Sequence, residues 1–423
     1  MSEIDLKKSL NDMTPAERRK QLLALKQQAN KDAERPNLLV FADEISSPNF
    51  LRRPTGIAQI DIDLGGGFPA GTVNYVSGPE NAGKTWLLFK TYAMHQRLYG
   101  PNSSIMHCQI EGPFDYFFLR NTVGYKIAIP TNLIEEHQEH RKARKVPLLT
   151  KAEVKELATG IGEFLMLLPT TMEEMIDWIL ETTQRGLAHI IGVDSIAAAE
   201  PSAEAVLNTL TKSPQQGAHA TLMKRFLQHF YPLVSGSRGL NETTLIFITQ
   251  VIHNRDKANA APFMQKFIKD WKPAGSPAAK HGKTLDLLVW SGAKIREKGG
   301  KKKDEDGEDE KKAIIGKDFN WEVVKGKLGT HDNIFGKTDF YYTEDSLTQN
   351  LKSIMLAGMK YGVLKEEKGK WSLLNATTGV AIEGLHDVEG FDIFLEMMRK
   401  DRDIELLVRR ELLAGAGVAC RYT

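Results

Sequence analysis

From about Gly56 onward, short apolar runs alternate with longer stretches in which apolar residues recur every three or four positions. This order predicts an α/β fold, a mostly parallel central sheet flanked by helices. The predicted strands are TVNYVS at 72–77, IMHCQIE at 105–111, HIIGVDSI at 189–196, TTLIFITQ at 243–250, TLDLLVWSG at 284–292, FNWEVVKGK at 319–327 and DFYYTE at 339–344. Ahead of them, Thr14-Pro15-Ala16-Glu17 has the form of a capping box with proline at the first helical position, which predicts a short, charged N-terminal helix. Residues 32–52 show no regular pattern. After about residue 346, SLTQNLKSIMLAGMKYGVL has helical spacing, KGKWSLL reads as a strand, and FDIFLEMMRKDRDIELLVRRELLAG reads as one long amphipathic helix or a pair.

The expected division is therefore an N-terminal helix and linker at 1–50, a core at 51–345, and a small C-terminal α/β domain at 346–423. Two charged insertions interrupt the core. Residues 131–160 carry HQEHRKARK on a helical stretch, and residues 297–312 (EKGGKKKDEDGEDEKK) hold nothing able to bury surface against its ordering entropy, so a solvated hairpin tip is expected there.

Composition narrows the function classes. With 423 residues and 41% apolar content the chain suits one large soluble domain with small flanking pieces. Cys108 and Cys420 are too few for a disulfide framework or a cysteine zinc site, which fits a reducing, cytoplasmic setting. The N-terminus lacks an apolar signal region and no run of about 18 apolar residues occurs, so neither secretion nor a membrane partner is expected. A formal charge of +2 is nearly neutral, so any nucleic-acid binding must come from local clusters.

The chemistry is most explicit at 78–85. Gly78, Pro79, Glu80, Asn81, Ala82, Gly83, Lys84 and Thr85 complete the G-x-x-x-x-G-K-[ST] pattern between a predicted strand and a helix that opens at Lys84 and continues through Trp86. Such a turn aims backbone N–H groups and a helix N-terminus at nucleotide phosphates. Lys84 is expected to reach the β- and γ-phosphates, and Thr85 to place its hydroxyl on Mg²⁺. Asp194 closes the apolar run Ile190-Ile191-Gly192-Val193 at the same sheet edge, as a carboxylate for that Mg²⁺. Glu111, at the tip of IMHCQIE, is the expected catalytic base, orienting a water toward the γ-phosphate. Gln250, at the end of TTLIFITQ, is placed to sense the γ-phosphate and pass its state into the next segment.

That segment, 251–275, carries Arg255, Lys257, Lys266, Lys269 and Lys272 among Phe263, Phe267 and Trp271 without regular pattern. Cations interleaved with aromatics suit single-stranded nucleic acid. Lys224 with Arg225, or the 137–145 insertion, are the alternative places to hold DNA, although His137, His140 and the basic run after them read more simply as a solvated helix face. Lys325 and Lys327, two apart on a predicted strand, are expected to present both ammonium groups on one face toward an anion, with Gly326 leaving the backbone open.

These motifs, in this order, resemble the RecA family of homologous-recombination ATPases, in its bacterial and phage branch. The resemblance spans about residues 50–375 and rests on TGIAQIDIDLGGGFPAGTVNYVSGPENAGKT, QIEGPFD, GVDSIAA, LIFITQ, VVKGKLG and LAGMKYGVLKEEKGKWSLL. It implies an ATP- and Mg²⁺-dependent helical filament, a homo-oligomer, on single-stranded DNA that pairs it with homologous double-stranded DNA and exchanges strands. It further implies single-strand-binding and loader or mediator proteins as partners, and protomer contact through the N-terminal segment. By position, Glu111 matches the catalytic glutamate, Asp194 the metal-linked aspartate, Gln250 the glutamine coupling ATP to DNA, and 251–275 the second DNA loop. Lys325 and Lys327 match the lysine pair that reaches the γ-phosphate of the neighbouring subunit, and Asp115 and Phe118 fall near the adenine contacts.

This chain also departs from the family. Its loop at 199–216 is longer, Ala274-Gly275-Ser276-Pro277 replaces a glycine pair, Gln109 stands where many members have an acidic residue, and the chain ends in CRYT without an acidic tail. A divergent phage or bacterial member is expected. Two other readings share the core: a ring helicase or translocase, which normally supplies an arginine finger, and a non-catalytic accessory protein. The lysine pair speaks against the first, and Lys84, Thr85 and Glu111 against the second.

Overall fold

The structure is a computed structural model that describes residues 14–33, 39, 41, 51–202, 218–234, 242–253, 271–273, 282–297, 313–342 and 344–419, with only the backbone at 252–253 and 271–273. The first helix, α1 (Pro15–Asp32), begins at the expected capping box. Thr14 Oγ1 accepts from the Glu17 N–H at 3.3 Å while the Glu17 carboxylate accepts from the Thr14 N–H at 2.8 Å.

A two-residue pair, β1 (Arg52–Arg53) and β2 (Phe68–Pro69), brackets α2 (Ala58–Asp63). There follow β3 (Val73–Gly78), α3 (Lys84–Tyr99), β4 (Ser104–Gln109), a π-helical turn (Phe118–Val123), α4 (Thr131–Ala143), α5 (Lys151–Leu157), β5 (Glu163–Leu167), α6 (Met172–Gln184) and β6 (Ile190–Asp194). Next come α7 (Ala218–Val234), β7 (Thr244–His253), β8 (Trp271–Pro273), β9 (Leu285–Arg296), β10 (Ile314–Lys325) and β11 (Ile334–Tyr341). The C-terminal part holds α8 (Ser346–Lys360), β12 (Leu364–Glu367), β13 (Lys370–Leu373), β14 (Val388–Glu389), α9 (Phe391–Lys400) and α10 (Arg402–Gly415).

Among the described residues the main sheet has the order β11-β10-β9-β3-β7-β6-β4-β5, with β8 added to the far end of β7. The pairs from β9 to β5 are all parallel, and only β10, β11 and β8 join antiparallel. The sheet is thus mostly parallel, as expected. Side chains alternate between two apolar layers, as the two-residue period of a strand requires. Val76, Ile190, Ile246 and Ile248 face α3, whereas Tyr75, Ile191, Val193, Leu245 and Phe247 face α6 and α7. A third cluster joins α8, α9 and α10 with Ala58 of α2.

Several boundaries depart from the sequence reading. Strand β5 was absent from it, because EFLML follows a charged helical stretch; that stretch is two helices, α4 and α5. The C-terminal amphipathic run, expected as one helix or a pair, is the pair, split at Asp401, whose carboxylate caps α10 by accepting from the Asp403 and Ile404 N–H groups. Of the solvated tip expected at 297–312, residues 298–312 lie outside the described residues, but β9 and β10 on either side pair as an antiparallel hairpin. No helix among the described residues is long and apolar enough to cross a membrane.

Candidate functional site

Strands β3, β4 and β6 run parallel, so their C-terminal ends meet at one edge of the sheet, where a nucleotide-sized ligand is expected in such folds. The phosphate loop leaves β3 there. Asn81 and Gly83 take positive φ (56° and 92°), and Gly78 must be glycine, since a Cβ there would lie 2.3 Å from the Val289 carbonyl. Helix α3 starts at Lys84, so its free N–H groups point into the loop.

Lys84 folds back on this loop. Its Nζ donates to the carbonyls of Gly78 (3.0 Å) and Pro79 (2.7 Å), and burial holds its pKa below the ordinary lysine value against the carboxylates of Asp194, Glu111 and Glu80. Thr85 Oγ1 donates to Asp194 Oδ2 at 2.6 Å. Burial raises the Asp194 pKa, opposed by the Thr85 hydrogen bond, supported by the Glu111 charge and opposed again by Lys84. Ser195, next along the chain, donates its hydroxyl to Glu111 Oε2 at 2.8 Å. Lys84, Thr85, Asp194 and Glu111 are therefore gathered at one point, and Ser195, which the sequence reading passed over, belongs with them.

The placement of Glu111 needs correction. It does not end β4, which stops at Gln109; the N–H groups of Ile110 and Glu111 both turn onto the Asp194 carbonyl, at 2.9 and 3.2 Å, and this lifts the chain off the ladder. Gln250 likewise does not end its strand. It pairs with Gly78 as the last β3–β7 partner, and β7 continues three residues to pair with β8, Val251 to Pro273 and His253 to Trp271. The 251–275 segment is therefore not irregular throughout: its two ends form an antiparallel ribbon that includes the backbones of Trp271 and Lys272. Arg255, Lys257, Phe263, Lys266, Phe267 and Lys269 lie outside the described residues. Lys224 and Arg225 are exposed on α7.

Lys325 and Lys327 do not share a strand face. β10 ends at Lys325, the Gly326 N–H turns to the Asp332 carboxylate, and the Thr330 N–H returns to the Lys327 carbonyl, so Lys327 sits in a turn. Burial, then the charges of Lys327 and Lys283, lower the Lys325 pKa.

Beside the phosphate loop opens a cavity of about 440 Å³, within the size range of small-molecule sites. Trp86, Phe118, Phe319, Phe340, Tyr341 and Tyr342 form its aromatic walls, and Lys84, Thr85 and Lys317 also line it. Trp86 meets Phe340 (4.7 Å) and Phe319 (5.1 Å) edge to face, and its buried Nε1 has no hydrogen-bond partner among the described residues. Asp115 is not part of these walls; its carboxylate caps the turn, accepting from the Phe118 N–H at 2.8 Å. The aromatic residues of β10 and β11 read in sequence as strand residues, and only the sheet order brings them to the loop.

No protein-family model matches the chain. Among curated proteins, it is 29% identical over 220 residues to Protein RecA of Ureaplasma parvum serovar 3, covering 52% of each chain. It is 28% identical to Protein RecA of Oceanobacillus iheyensis, over 48% of this chain and 46% of that protein. It is 25% identical to Protein RecA of Colwellia psychrerythraea, over 76% and 73%. The chain thus spans about half the length of the first of these relatives. A solved structure titled "Crystal structure of the RadB recombinase" is 17% identical and covers 67% of this chain and 94% of its own, with a TM-score of 0.39. The chain is thus similar at low identity to proteins named RecA, and these relatives with the ordered motifs support a divergent RecA-family member.

Proposed function

We propose that this chain is a DNA-dependent ATPase of homologous recombination, assembling with ATP and Mg²⁺ into a helical filament on single-stranded DNA and pairing it with homologous duplex. The observation that carries the reading is the convergence of Lys84, Thr85, Asp194 and Glu111 beside the phosphate loop and its aromatic cavity.

The adenine base occupies the aromatic cavity lined by Phe118, Phe340 and Tyr341. Lys84 leaves the loop carbonyls for the β- and γ-phosphate oxygens. The donor set of hydroxyl and carboxylate oxygens at Thr85 and Asp194 fits Mg²⁺, which takes oxygen ligands and shares them with phosphates. When bound, Mg²⁺ neutralises the charge that develops on the transferred phosphoryl group. Glu111, with Oε2 held by Ser195, directs its other oxygen to the attacking water and takes its proton. Gln250 stands between Gly78 and the β7–β8 ribbon, so a change at the γ-phosphate passes from the loop into 251–275, whose cations and aromatics hold DNA. Lys325 and Lys327 serve the γ-phosphate of a neighbouring protomer, which completes the site.

Electron microscopy of the chain with single-stranded DNA and a non-hydrolysable ATP analogue tests this reading. Helical filaments are expected; rings would replace it with the helicase, and an absence of both, together with no DNA-stimulated hydrolysis, would leave an accessory protein.

A further inference from the structure

Beneath Glu111 a chain of side-chain hydrogen bonds runs through the sheet. Tyr92 Oη and His107 Nδ1 are 3.1 Å apart, His107 Nε2 and Gln109 Oε1 are 2.8 Å apart, and Gln109 Nε2 faces the carbonyl oxygens of Glu111 (2.6 Å) and Gly112 (3.2 Å). The direction of every bond is fixed from its upper end. Backbone carbonyls only accept, so the Gln109 amide must present its NH₂ to them and its oxygen to His107. His107 Nε2 must then carry the proton, which leaves Nδ1 to accept from the Tyr92 hydroxyl.

The surroundings are built for this arrangement. Tyr92 and His107 are fully buried, and Phe89, Phe114 and Phe164 surround the imidazole with ring centroids 5.3–6.2 Å away. Burial lowers the His107 pKa to about 4, with the Gln109 hydrogen bond pulling it up, so the neutral ring with one proton is the species present. Gly192, the β6 partner of His107, leaves room for the tyrosine: a Cβ there would sit 1.8 Å from Tyr92 Oη.

The geometry points to Tyr92, His107 and Gln109 as a relay of positioning residues that fixes the Glu111 loop relative to the phosphate-loop helix. Tyr92 belongs to α3, which starts with Lys84 and Thr85, so the relay spans from the phosphate side of the site to the backbone of the proposed base. The backbone at 110–112 is then clamped twice, through its amides by the Asp194 carbonyl and through its carbonyls by Gln109. Ser195 fixes the carboxylate separately. An acidic residue at position 109 would set oxygen against those two carbonyls, so the amide is the side chain that this arrangement requires. The inference rests on the proposed ATPase reading.

The test uses the full chain with single-stranded DNA. Gln109→Ala should slow single-turnover ATP hydrolysis by roughly tenfold to a hundredfold, the scale of a small misplacement of a catalytic group, with nucleotide affinity and melting midpoint unchanged. Gln109→Glu, the same shape without the donor, should not rescue it, and Tyr92→Phe should shift it in the same direction by less. Parent-like turnover in Gln109→Glu, or equal losses of affinity and stability in Gln109→Ala, would overturn the relay. The imidazole gives a readout independent of turnover. In ¹⁵N-histidine spectra, with His107 assigned by substitution, the Nε2–H tautomer should dominate at neutral pH and give way in Gln109→Ala; an Nδ1–H tautomer would overturn the proposal. If the parent chain hydrolyses no ATP, the proposed function fails, and the imidazole spectrum alone decides the relay.

Discussion

Thr85 Oγ1 donates to Asp194 Oδ2 at 2.6 Å, joining the second residue of α3 to the last residue of β6. In the proposed site this bond would set the spacing of the two oxygen donors for Mg²⁺. Asp194→Asn keeps an acceptor for Thr85 and removes the charge. Mg²⁺-dependent hydrolysis should fall by roughly a hundredfold or more, the scale of a misplaced reacting group, and the Mg²⁺ midpoint should rise. An unchanged MgCl₂ titration would remove Asp194 from the metal site.

Glu111 and Lys84 should separate chemistry from binding. Glu111→Gln is expected to retain ATP and DNA binding while turnover drops by about 10² or more, as for loss of a positioned base. Lys84→Ala should instead lose tight nucleotide binding, measured with a fluorescent ATP analogue. Full turnover in Glu111→Gln would assign the base elsewhere.

Lys317 holds the phosphate loop from the β10 side. Its Nζ donates to the Asn81 carbonyl (3.0 Å) and to Ser291 Oγ (2.9 Å), and the Ser291 hydroxyl also donates to that carbonyl at 3.0 Å. Lys317→Met should weaken nucleotide binding about fivefold, near 1 kcal/mol for a partly exposed charge-assisted hydrogen bond, at unchanged melting midpoint. Parent-like affinity would show that the loop keeps its shape unaided.

His95 predicts acid sensitivity. It stacks on Tyr99 (4.2 Å) and His189 (4.9 Å), and both ring nitrogens are buried with no hydrogen-bond partner among the described residues. Burial first, then the charge of Arg53, hold its pKa well below 6.5. The unfolded chain therefore binds the proton first, so this contribution to stability is present above about pH 6.5 and is lost as pH falls toward the folded value. His95→Phe should narrow the gap between unfolding midpoints at pH 7 and pH 5. A gap as wide as in the parent would place the acid-sensitive groups elsewhere.

Arg409 stands between two buried carboxylates, with Asp61 at 3.6 Å and Glu405 at 3.0 Å, all three under 3% exposed. Burial raises the Asp61 pKa to about 6, and the Arg409 charge is the largest effect opposing it. Arg409→Met leaves both acids without that charge and should cost about 3–5 kcal/mol in urea unfolding, the scale of a broken buried pair. A loss below about 1 kcal/mol would mean that water reaches the site.

The phosphate loop, the start of α3 at Lys84 and the capping box at Thr14 were legible because each depends on neighbours within a few residues. What escaped depends on distant partners. Glu111 leaves its strand because of the Asp194 carbonyl, Lys327 leaves its strand because of Asp332 and Thr330, and β7 runs past Gln250 because β8 is there to pair with it. His107 read as one polar residue in an apolar strand, since Tyr92 and Gly192 meet it only once the sheet is assembled. The part of the aromatic wall from β10 and β11 went unseen for the same reason, whereas Trp86 and Phe118 were read beside the loop: Phe340 lies 254 positions from Trp86.

The β9–β10 hairpin closes on its own hydrogen bonds, with Arg296 opposite Ile314 and the Glu297 N–H on the Ala313 carbonyl at 3.0 Å. Its ends are therefore held together whatever the chain does between 297 and 313. Length at that junction costs little, about 0.6 kcal/mol for each doubling of a flexible loop. The junction is a splice point, where a short turn, a tag or an entire foreign domain can be exchanged for the native residues while β10 still carries Lys317 and Phe319 to the phosphate loop.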